Sequence, residues 1–198
     1  MKLMVGCTKL IDISKKILDL FLFAFWFRFD KVRFLISKGA IVGKGCTIIT
    51  SCRNFGTEPY LIRIGHDVTI TYGVLFVTHD GGTRIFRKNF PEMNRFGNAF
   101  APIVLGNNVF VGLNSILLPG TKIGDNSLIG AGAVVKGTFE PGSVIAGNPG
   151  RTIGTIDEYI EKTMQRLVPL KATNRKELRT ELQMYFSEEQ LKRNTPVD

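Results

Sequence analysis

Aliphatic residues recur at a spacing of six through the middle of the chain. The unbroken series consists of Leu105, Val111, Leu117, Ile123, Ile129 and Val135. Four of these six residues are followed directly by a glycine, namely Gly106, Gly112, Gly124 and Gly130. An α-helix repeats every ~3.6 residues and cannot keep a period of six on one face. The pattern therefore predicts units of one short strand and one turn, stacked into a parallel solenoid.

The same register extends towards the N-terminus and is interrupted twice. Four of the six positions that lie four after each aliphatic residue are small, which suits a tight corner; the six are Val109, Ser115, Thr121, Ser127, Ala133 and Phe139. Earlier members of the register are Val42, Ile48, Ile64, Ile70 and Phe76. Residues 54–62 and 78–102 break it, and we expect both segments to be loops that leave the solenoid.

Helical patterns flank the repeat on both sides. We expect a helix within residues 9–36 and two helices at 156–167 and 175–186, separated by Pro169 and a polar turn. The tail from Ser187 is expected to be loose. The predicted organisation is an N-terminal helical segment, a repeat domain with one long loop, and a C-terminal helical extension, with boundaries at 1–38, 39–155 (loop 78–102) and 156–198.

Charge and cysteine usage narrow the classes of partner and compartment. Lys and Arg number 26 against 17 Asp and Glu, and the formal charge of +9 favours nucleic acid, anionic lipid or a phosphorylated cofactor. No zinc-finger, homeodomain or RNP-like motif organises this charge, so we expect no nucleic-acid partner. The three cysteines contain no C-x-x-C pair, which predicts neither a disulfide framework nor a cysteine zinc site and fits a reducing cytoplasm.

A very apolar stretch lies near the N-terminus, at residues 17–29. It is interrupted by Asp19 and Arg28 and is shorter than the ~20 residues that span a bilayer. It also lacks a small-residue cleavage site, so we predict neither a transmembrane helix nor an export signal. Two uses remain open: capping the open end of the solenoid, which we favour, or peripheral contact with the inner face of the membrane, near lipid-linked saccharides.

The run IVLGNNVFVGLNSILLPGTKIGDNSLIGAGAVV, followed by FEPGSVIAGNPGRTI, resembles the hexapeptide-repeat acyltransferases over about residues 40–155. That family includes galactoside, maltose and xenobiotic acetyltransferases and polysaccharide O-acetyltransferases. The resemblance implies a mainly β fold, a left-handed parallel β-helix with an N-terminal helix and a C-terminal helical extension. It also implies a homotrimer with active sites between subunits, acetyl-CoA in the groove between neighbouring coils, and transfer of an acetyl group to a sugar hydroxyl.

The resemblance implies that His79, in the sequence THD at the start of the long loop, is the catalytic base. A sugar hydroxyl is a weak nucleophile at neutral pH, so a neutral imidazole must accept its proton as the oxygen attacks the thioester. The expected mechanism is direct transfer through an oxyanion stabilised by backbone N–H groups. Asp80 is a candidate for orienting the imidazole or contacting substrate, although a solvated turn aspartate is the simpler interpretation.

Family position also implies a set of cofactor-binding residues. Glycines and one alanine let the pantetheine chain approach the backbone, an aromatic side chain lines the groove, and basic residues with a proline contact the adenine and phosphates. The set is Phe110, Gly112, Gly130, Ala131, Lys136, Pro149 and Arg151. Ordinary packing and turn geometry remain the alternative for Phe110 and the small residues.

The saccharide acceptor is expected under the loop 81–101, which mixes aromatic, basic and amide side chains. Candidate acceptor contacts are Arg84, Arg95 and Asn98, together with Asp80. Histidines are present only at His66, expected at a surface corner, and at His79. The three-histidine zinc site of hexapeptide-repeat carbonic anhydrases cannot be built from two, so we expect no metal.

Three alternatives compete with sugar O-acetylation. An amine acceptor, as in nucleotide-sugar N-acetyltransferases, keeps the same donor. A serine acceptor is disfavoured because the large helical N-terminal domain typical of serine acetyltransferases is lacking. A catalytically inactive scaffold would keep the solenoid alone, and His79 in its family motif argues against it.

Overall fold

The middle of the chain is a parallel β-helix with three faces. Each coil runs once around the faces, and its strands pair in parallel with those of the next coil. Face 1 consists of β1 (Ile41–Val42), β3 (Ile62–Ile64), β8 (Ile103–Leu105), β11 (Lys122–Ile123) and β14 (Thr138–Phe139). Face 2 consists of β2 (Thr47–Ile48), β4 (Thr69–Ile70), β9 (Phe110–Val111), β12 (Leu128–Ile129), β15 (Ser143–Ala146) and the antiparallel β16 (Arg151–Thr155). Face 3 consists of β5 (Leu75–Phe76), β10 (Ile116–Leu117) and β13 (Val134–Val135).

The computed structural model describes residues 30–86, 89–90 and 97–187. The predicted class, a mainly β left-handed parallel β-helix with helices before and after it, is confirmed. Both interpretations of the apolar stretch 17–29 concern residues outside the described part of the chain. The same holds for the acceptor candidate Arg95 and for the tail after Ser187.

The six-residue aliphatic series forms the core of the β-helix, as predicted. No member of the series is more than 3% exposed. Ile70, Val111 and Ile129 occupy equivalent places on face 2, while Phe76 and Leu117 do so on face 3. Burial of each such side chain contributes roughly 1.5–3 kcal/mol before the entropy cost of ordering it. This stacked column fixes where each corner of the solenoid lies.

The tight corners lie one residue earlier than the prediction. Positive φ angles occur three residues after the aliphatic positions, at Asn108, Asn114, Gly120, Asn126 and Gly132. Glycine and asparagine tolerate this left-handed conformation best. The next residue is small because it lies buried inside the corner: the Ser115 hydroxyl hydrogen bonds to the carbonyl oxygens of Gly112 (2.7 Å) and Gly130 (2.9 Å).

The two breaks in the register differ from each other. The first was expected to be a loop that leaves the solenoid, and this is wrong. It contains 3-10 turns at Cys52–Phe55 and Pro59–Leu61, and the buried ring of Phe55 stacks on Phe76 with centroids 4.5 Å apart. The second break is bounded by an antiparallel pair made of β6 (His79–Asp80) and β7 (Ala99–Phe100), and part of the segment between them lies outside the described residues.

Three described helices flank the β-helix in sequence. Helix α1 (Lys31–Ser37) begins after Asp30, whose carboxylate accepts a hydrogen bond from the Arg33 N–H at 2.9 Å and satisfies one free donor of the first turn. Helices α2 (Ile156–Met164) and α3 (Arg175–Tyr185) match the predicted pair, with α2 ending three residues early. The described residues 160–187 belong to a compact unit of their own. Within the described ranges, every helix is too short or too polar to cross a membrane.

Candidate active site

His79 lies at the corner of the solenoid between face 3 and face 1. It begins β6, three residues after the end of β5, and β6 pairs with β7 so that His79 lies opposite Phe100. The Ala101 N–H donates to the Thr78 carbonyl oxygen at 3.0 Å and closes the base of the long loop. The imidazole packs against the Phe100 ring with centroids 5.4 Å apart. The regular core on one side and this strand pair on the other therefore hold the histidine.

Glu58 is the partner of His79. The Glu58 Oε2 atom lies 2.9 Å from His79 Nδ1 and also accepts a hydrogen bond from the Thr78 hydroxyl at 2.7 Å. The other carboxylate oxygen accepts from the Thr57 hydroxyl at 2.6 Å. The Glu58 side chain is only 12% exposed, whereas that of His79 is 35% exposed. A nearly buried, fully hydrogen-bonded carboxylate thus supports a half-exposed imidazole.

Ionisation of Glu58 fixes the tautomer of His79. Burial raises the pKa of the Glu58 carboxyl, but the hydrogen bonds from Thr57, Thr78 and His79, together with the charge of His79, outweigh burial and lower it. Glu58 is therefore ionised at neutral pH and can only accept hydrogen bonds. Since it accepts from Nδ1, the neutral ring carries its proton on Nδ1 and leaves Nε2 with a free lone pair.

Sequence reasoning missed Glu58, although one signal pointed to it. Glu58 lies in the first break of the register, as His79 lies in the second, and the two breaks occupy the same corner of successive coils. A carboxylate at that corner, one coil before a THD motif, is the pattern that could have been noticed.

A cavity of about 430 Å³ opens beside the imidazole. Apolar groups form much of its wall, and His79, Asp80 and Lys136 supply its ionisable groups; the other lining residues are Val77, Ala99, Phe100, Ala101, Leu118 and Pro119. Lys136 was expected with the cofactor phosphates, and within one chain it lies in this cavity with the histidine. An apolar wall with a few convergent polar groups is typical of a small-molecule site.

Of the remaining acceptor candidates, Asp80 lines this cavity, whereas Arg84 and Asn98 are not among its lining residues. The Asp80 carboxylate accepts a hydrogen bond from the Gly82 N–H at 2.7 Å, which is the turn role, and Glu58 orients the imidazole instead. Arg84 is exposed in the 3-10 turn Gly82–Ile85. Asn98 is half-buried directly before β7.

Most of the cofactor candidates lie at a different corner of the solenoid, between faces 2 and 3. Gly112 and Gly130 directly follow face 2 strands of successive coils, and Ala131 comes next after Gly130. A Cβ atom on Gly112 would come within 2.6 Å of the Ala131 nitrogen, so this glycine is required for the coils to stack. Pro149, after a cis peptide bond, and Arg151, the first residue of β16, continue the column at the end of the solenoid.

Phe110 is separate from both groups. Its ring is 43% exposed on face 2, in a small cavity that it shares with Asp67, Asn108, Asn126 and Ile156.

Within one chain, therefore, His79, Asp80 and Lys136 are brought together at one edge of face 3. Gly112, Gly130, Ala131, Pro149 and Arg151 lie at its other edge. Among the described residues, no cluster of His, Cys, Asp or Glu has the composition of a metal site.

The repeat matches a known protein family, and one relative matches most of the chain. Residues 102–137 match the family described as Bacterial transferase hexapeptide (six repeats). Protein CapG of Staphylococcus aureus is 44% identical over 160 residues, which make up 80% of this chain and 89% of CapG. Galactoside O-acetyltransferase of Escherichia coli strain K12 is 41% identical over 102 residues, so this chain spans about half of that protein (51% of this chain and 47% of the relative).

A solved hexapeptide-repeat acetyltransferase of Vibrio cholerae, complexed with acetyl coenzyme A, aligns at 22% identity with a TM-score of 0.47, covering 60% of this chain and 61% of that one. The match to CapG extends over nearly the whole of that relative, and the matched family repeat is the one that builds the β-helix. The chain belongs to the hexapeptide-repeat acyltransferase family.

Proposed function

We propose that this protein transfers an acetyl group from acetyl-CoA to a sugar hydroxyl, with His79 as the general base and Glu58 as its positioning residue. The single observation that carries the proposal is the 2.9 Å contact between Glu58 Oε2 and His79 Nδ1 at the edge of an open cavity. The acceptor class is supported by the 41% identity to a galactoside O-acetyltransferase. The acceptor is a small saccharide or a precursor of a cell-surface polysaccharide.

The chemistry follows from the free lone pair of Nε2. His79 Nε2 accepts the proton of the acceptor hydroxyl while the hydroxyl oxygen attacks the thioester carbonyl carbon. The carbonyl oxygen becomes an oxyanion in a tetrahedral intermediate, which backbone N–H groups stabilise. Collapse of the intermediate breaks the carbon–sulfur bond, and the imidazolium returns its proton to the departing CoA sulfur. The products are the acetyl ester and free CoA, and His79 is neutral again.

Glu58 assists this cycle in two ways. Its hydrogen bond holds Nδ1–H in place, so that the ring meets the acceptor with Nε2 unprotonated. Its negative charge also stabilises the imidazolium that forms during attack, and water screens this attraction little because Glu58 is only 12% exposed. The hydroxyls of Thr57 and Thr78 keep the carboxylate ionised and fixed.

The donor occupies the corner between faces 2 and 3 in this proposal. Gly112, Gly130 and Ala131 present backbone with little side chain there, and Arg151 presents an exposed guanidinium at the end of the column. A guanidinium suits the phosphates of CoA because its donors form a rigid fork. Lys136 then meets the donor from the base-side edge of face 3, and Phe110 remains a candidate groove wall.

Assembly as a homotrimer brings the two edges together. Within one chain the base and the donor corner lie at opposite edges of face 3, so one copy has an incomplete site. The outward side chains of face 3 are Leu75, Ile116 and Val134, an aliphatic row in register across three strands. Burying this row between copies around a three-fold axis sets His79 of one subunit against the donor corner of the next.

Subunit complementation tests the shared site. Ala131 is exposed at the donor corner, so Ala131→Trp blocks that corner without reaching His79 of the same chain. Homotrimers of His79→Ala or of Ala131→Trp are expected to be inactive, whereas co-expressed mixtures regain part of the wild-type rate. Mixtures that stay inactive would show that each site is contained in one subunit.

Donor binding is tested by the thermal midpoint with and without acetyl-CoA. A ligand that binds only the folded state stabilises it by ~2.7 kcal/mol at a hundred times its Kd. We expect an upward shift that His79→Ala retains and Arg151→Ala reduces, followed by CoA release when galactosides and other saccharides are screened as acceptors. Failure of saturating acetyl-CoA to shift the midpoint would contradict the proposal and favour a catalytically inactive scaffold.

A cytoplasmic location is also part of the proposal. It is supported by the two described cysteines, Cys46 and Cys52, which are both free thiols, as a reducing compartment would keep them.

A further inference from the structure

Helix α3 in the C-terminal unit has an apolar face on which Leu178 and Phe186 are exposed and Leu182 is half-buried. Leu178, Leu182 and Phe186 follow one another at intervals of four, so they lie along one side of the helix and its last turn. With Arg175, Arg179 and Gln183 they line a surface concavity of about 580 Å³. Phe186 is 42% exposed and its ring packs edge-on against Tyr185. These residues, Leu178, Leu182 and Phe186 with Arg175 and Arg179, are called the α3 face below.

The basic side chains beside the α3 face are not paired with acidic side chains within the described part of the chain. Arg175, Lys176 and Arg179 are exposed, and no carboxylate among the described residues forms an ion pair with them. The acidic residues of the helix are already engaged on the other flank. Glu177 accepts hydrogen bonds from the Thr173 N–H and hydroxyl (2.9 and 2.8 Å), and Glu181 accepts from the Lys171 N–H (2.9 Å).

We propose that the α3 face binds the surface of a bilayer that contains anionic phospholipid. Leucine and phenylalanine side chains enter the boundary between headgroups and acyl chains, while the bordering arginines extend along it to the lipid phosphates. A second copy of this helix is a poorer partner, because it would bring the same unpaired cations against the apolar seam. The binding is peripheral, depends on surface charge, and is independent of the acetyl-transfer chemistry proposed for the β-helix.

Sedimentation of the purified full chain with vesicles tests this proposal. We expect binding to phosphatidylcholine vesicles only when they also contain phosphatidylglycerol, and release by added salt. The double variant Arg175→Gln/Arg179→Gln should weaken binding roughly thirtyfold, since each basic side chain near such a surface contributes about a factor of five. Leu178→Gln/Leu182→Gln should weaken it at least as much.

Two matched controls separate the α3 face from bulk effects. Met184 is exposed and lies half a turn away from Leu182 on the same helix, so Met184→Gln removes an apolar side chain from the opposite side. Arg63 and Lys122 are exposed on face 1 of the β-helix, so Arg63→Gln/Lys122→Gln removes the same net charge elsewhere. Both controls should bind vesicles like the wild type, and all variants should keep its thermal midpoint.

Three results would overturn the proposal. The first is a wild-type chain that does not bind anionic vesicles. The second is undiminished binding by both α3 variants, which would assign membrane contact to another segment, such as the apolar stretch 17–29. The third is a change in oligomeric mass of the Leu178→Gln/Leu182→Gln variant, which would assign the face to a second copy of the chain.

Discussion

The regular coils and the corner that holds His79 use buried hydroxyl groups differently. In the coils over residues 103–135, Ser115 and Thr121 donate to backbone carbonyl oxygens of their own and the adjacent coil. At the His79 corner, the buried Thr78 hydroxyl donates instead to a side-chain carboxylate, that of Glu58. The periodic part therefore pairs its corner hydroxyls with backbone, whereas the interrupted part uses one hydroxyl to hold a carboxylate, which in turn bonds to a half-exposed imidazole.

The difference indicates why the site lies where the repeat is broken. A six-residue unit that stacks on its neighbours has a carbonyl oxygen within reach of every corner hydroxyl. The segments 52–61 and 78–102 replace regular units at one corner, and there Glu58, Thr78 and His79 bond to one another. Substitutions of core residues in the regular part should consequently lower stability alone. Substitutions at the interrupted corner should lower stability through Thr78 and Glu58, and rate through Glu58 and His79.

The largest effect on stability is expected from Ile129→Ala in the regular part. Ile129 is fully buried between Val111 and Ile145 of the adjacent coils, so truncation leaves a cavity in the column. Unfolding free energy should fall by ~2–5 kcal/mol, measured by denaturant unfolding. Lys122 is exposed on face 1, so Lys122→Ala is the control and should change the unfolding free energy little. An equally small effect of both would contradict the role given to the aliphatic column.

An intermediate effect is expected from Thr78→Val at the interrupted corner. The substitution keeps the shape of a side chain that is 1% exposed and removes its hydrogen bond to the Glu58 carboxylate. Loss of such a bond to a charged group costs ~1.5–3 kcal/mol of unfolding free energy. The exposed Thr138→Val on face 1 is the matched control. Equal stability of the two variants would mean that Thr78 does not hold Glu58.

The smallest effect is a pH dependence of stability that belongs to Glu58. Its folded-state pKa is lowered from the ordinary value of 4.5, so ionised Glu58 adds stability that is fully present above that value. The added stability is lost as the pH falls through the lowered, folded-state pKa. Thermal midpoints measured from neutral to acid pH should therefore fall more steeply for the wild type than for Glu58→Gln. Parallel curves would show that the folded state does not lower the pKa of Glu58.

The sequence predicted the periodic features of this protein and missed those that depend on pairing across coils. The spacing of the aliphatic series identified the core column. With a strict period of six, each member lies at the same place in its unit, so all the side chains point into the core. The spacing did not identify Glu58, since that residue meets His79 only when one coil is stacked on the previous one. It also did not show that the turn after β13 places Lys136, a proposed cofactor contact, in the His79 cavity.

The expected departure of residues 54–62 from the solenoid failed for a related reason. A break in the repeat does not mean a loss of core contact, because Phe55 fills the core against Phe76 without belonging to the register. His79 and the proposed donor corner lie at opposite edges of face 3 within one chain, so the proposed site needs contacts between subunits, which the spacing of residues in one sequence does not predict.

A double-mutant cycle on Glu58 and His79 tests the central claim most directly. His79→Ala should lower kcat by a factor of roughly 10²–10⁴ while acetyl-CoA still raises the thermal midpoint. Glu58→Gln should lower kcat by a factor of roughly 10–100 in the wild-type background, and it should cause no further loss when His79 is already alanine. Equal losses from Glu58→Gln in both backgrounds would contradict the account, because Glu58 would then act independently of the histidine.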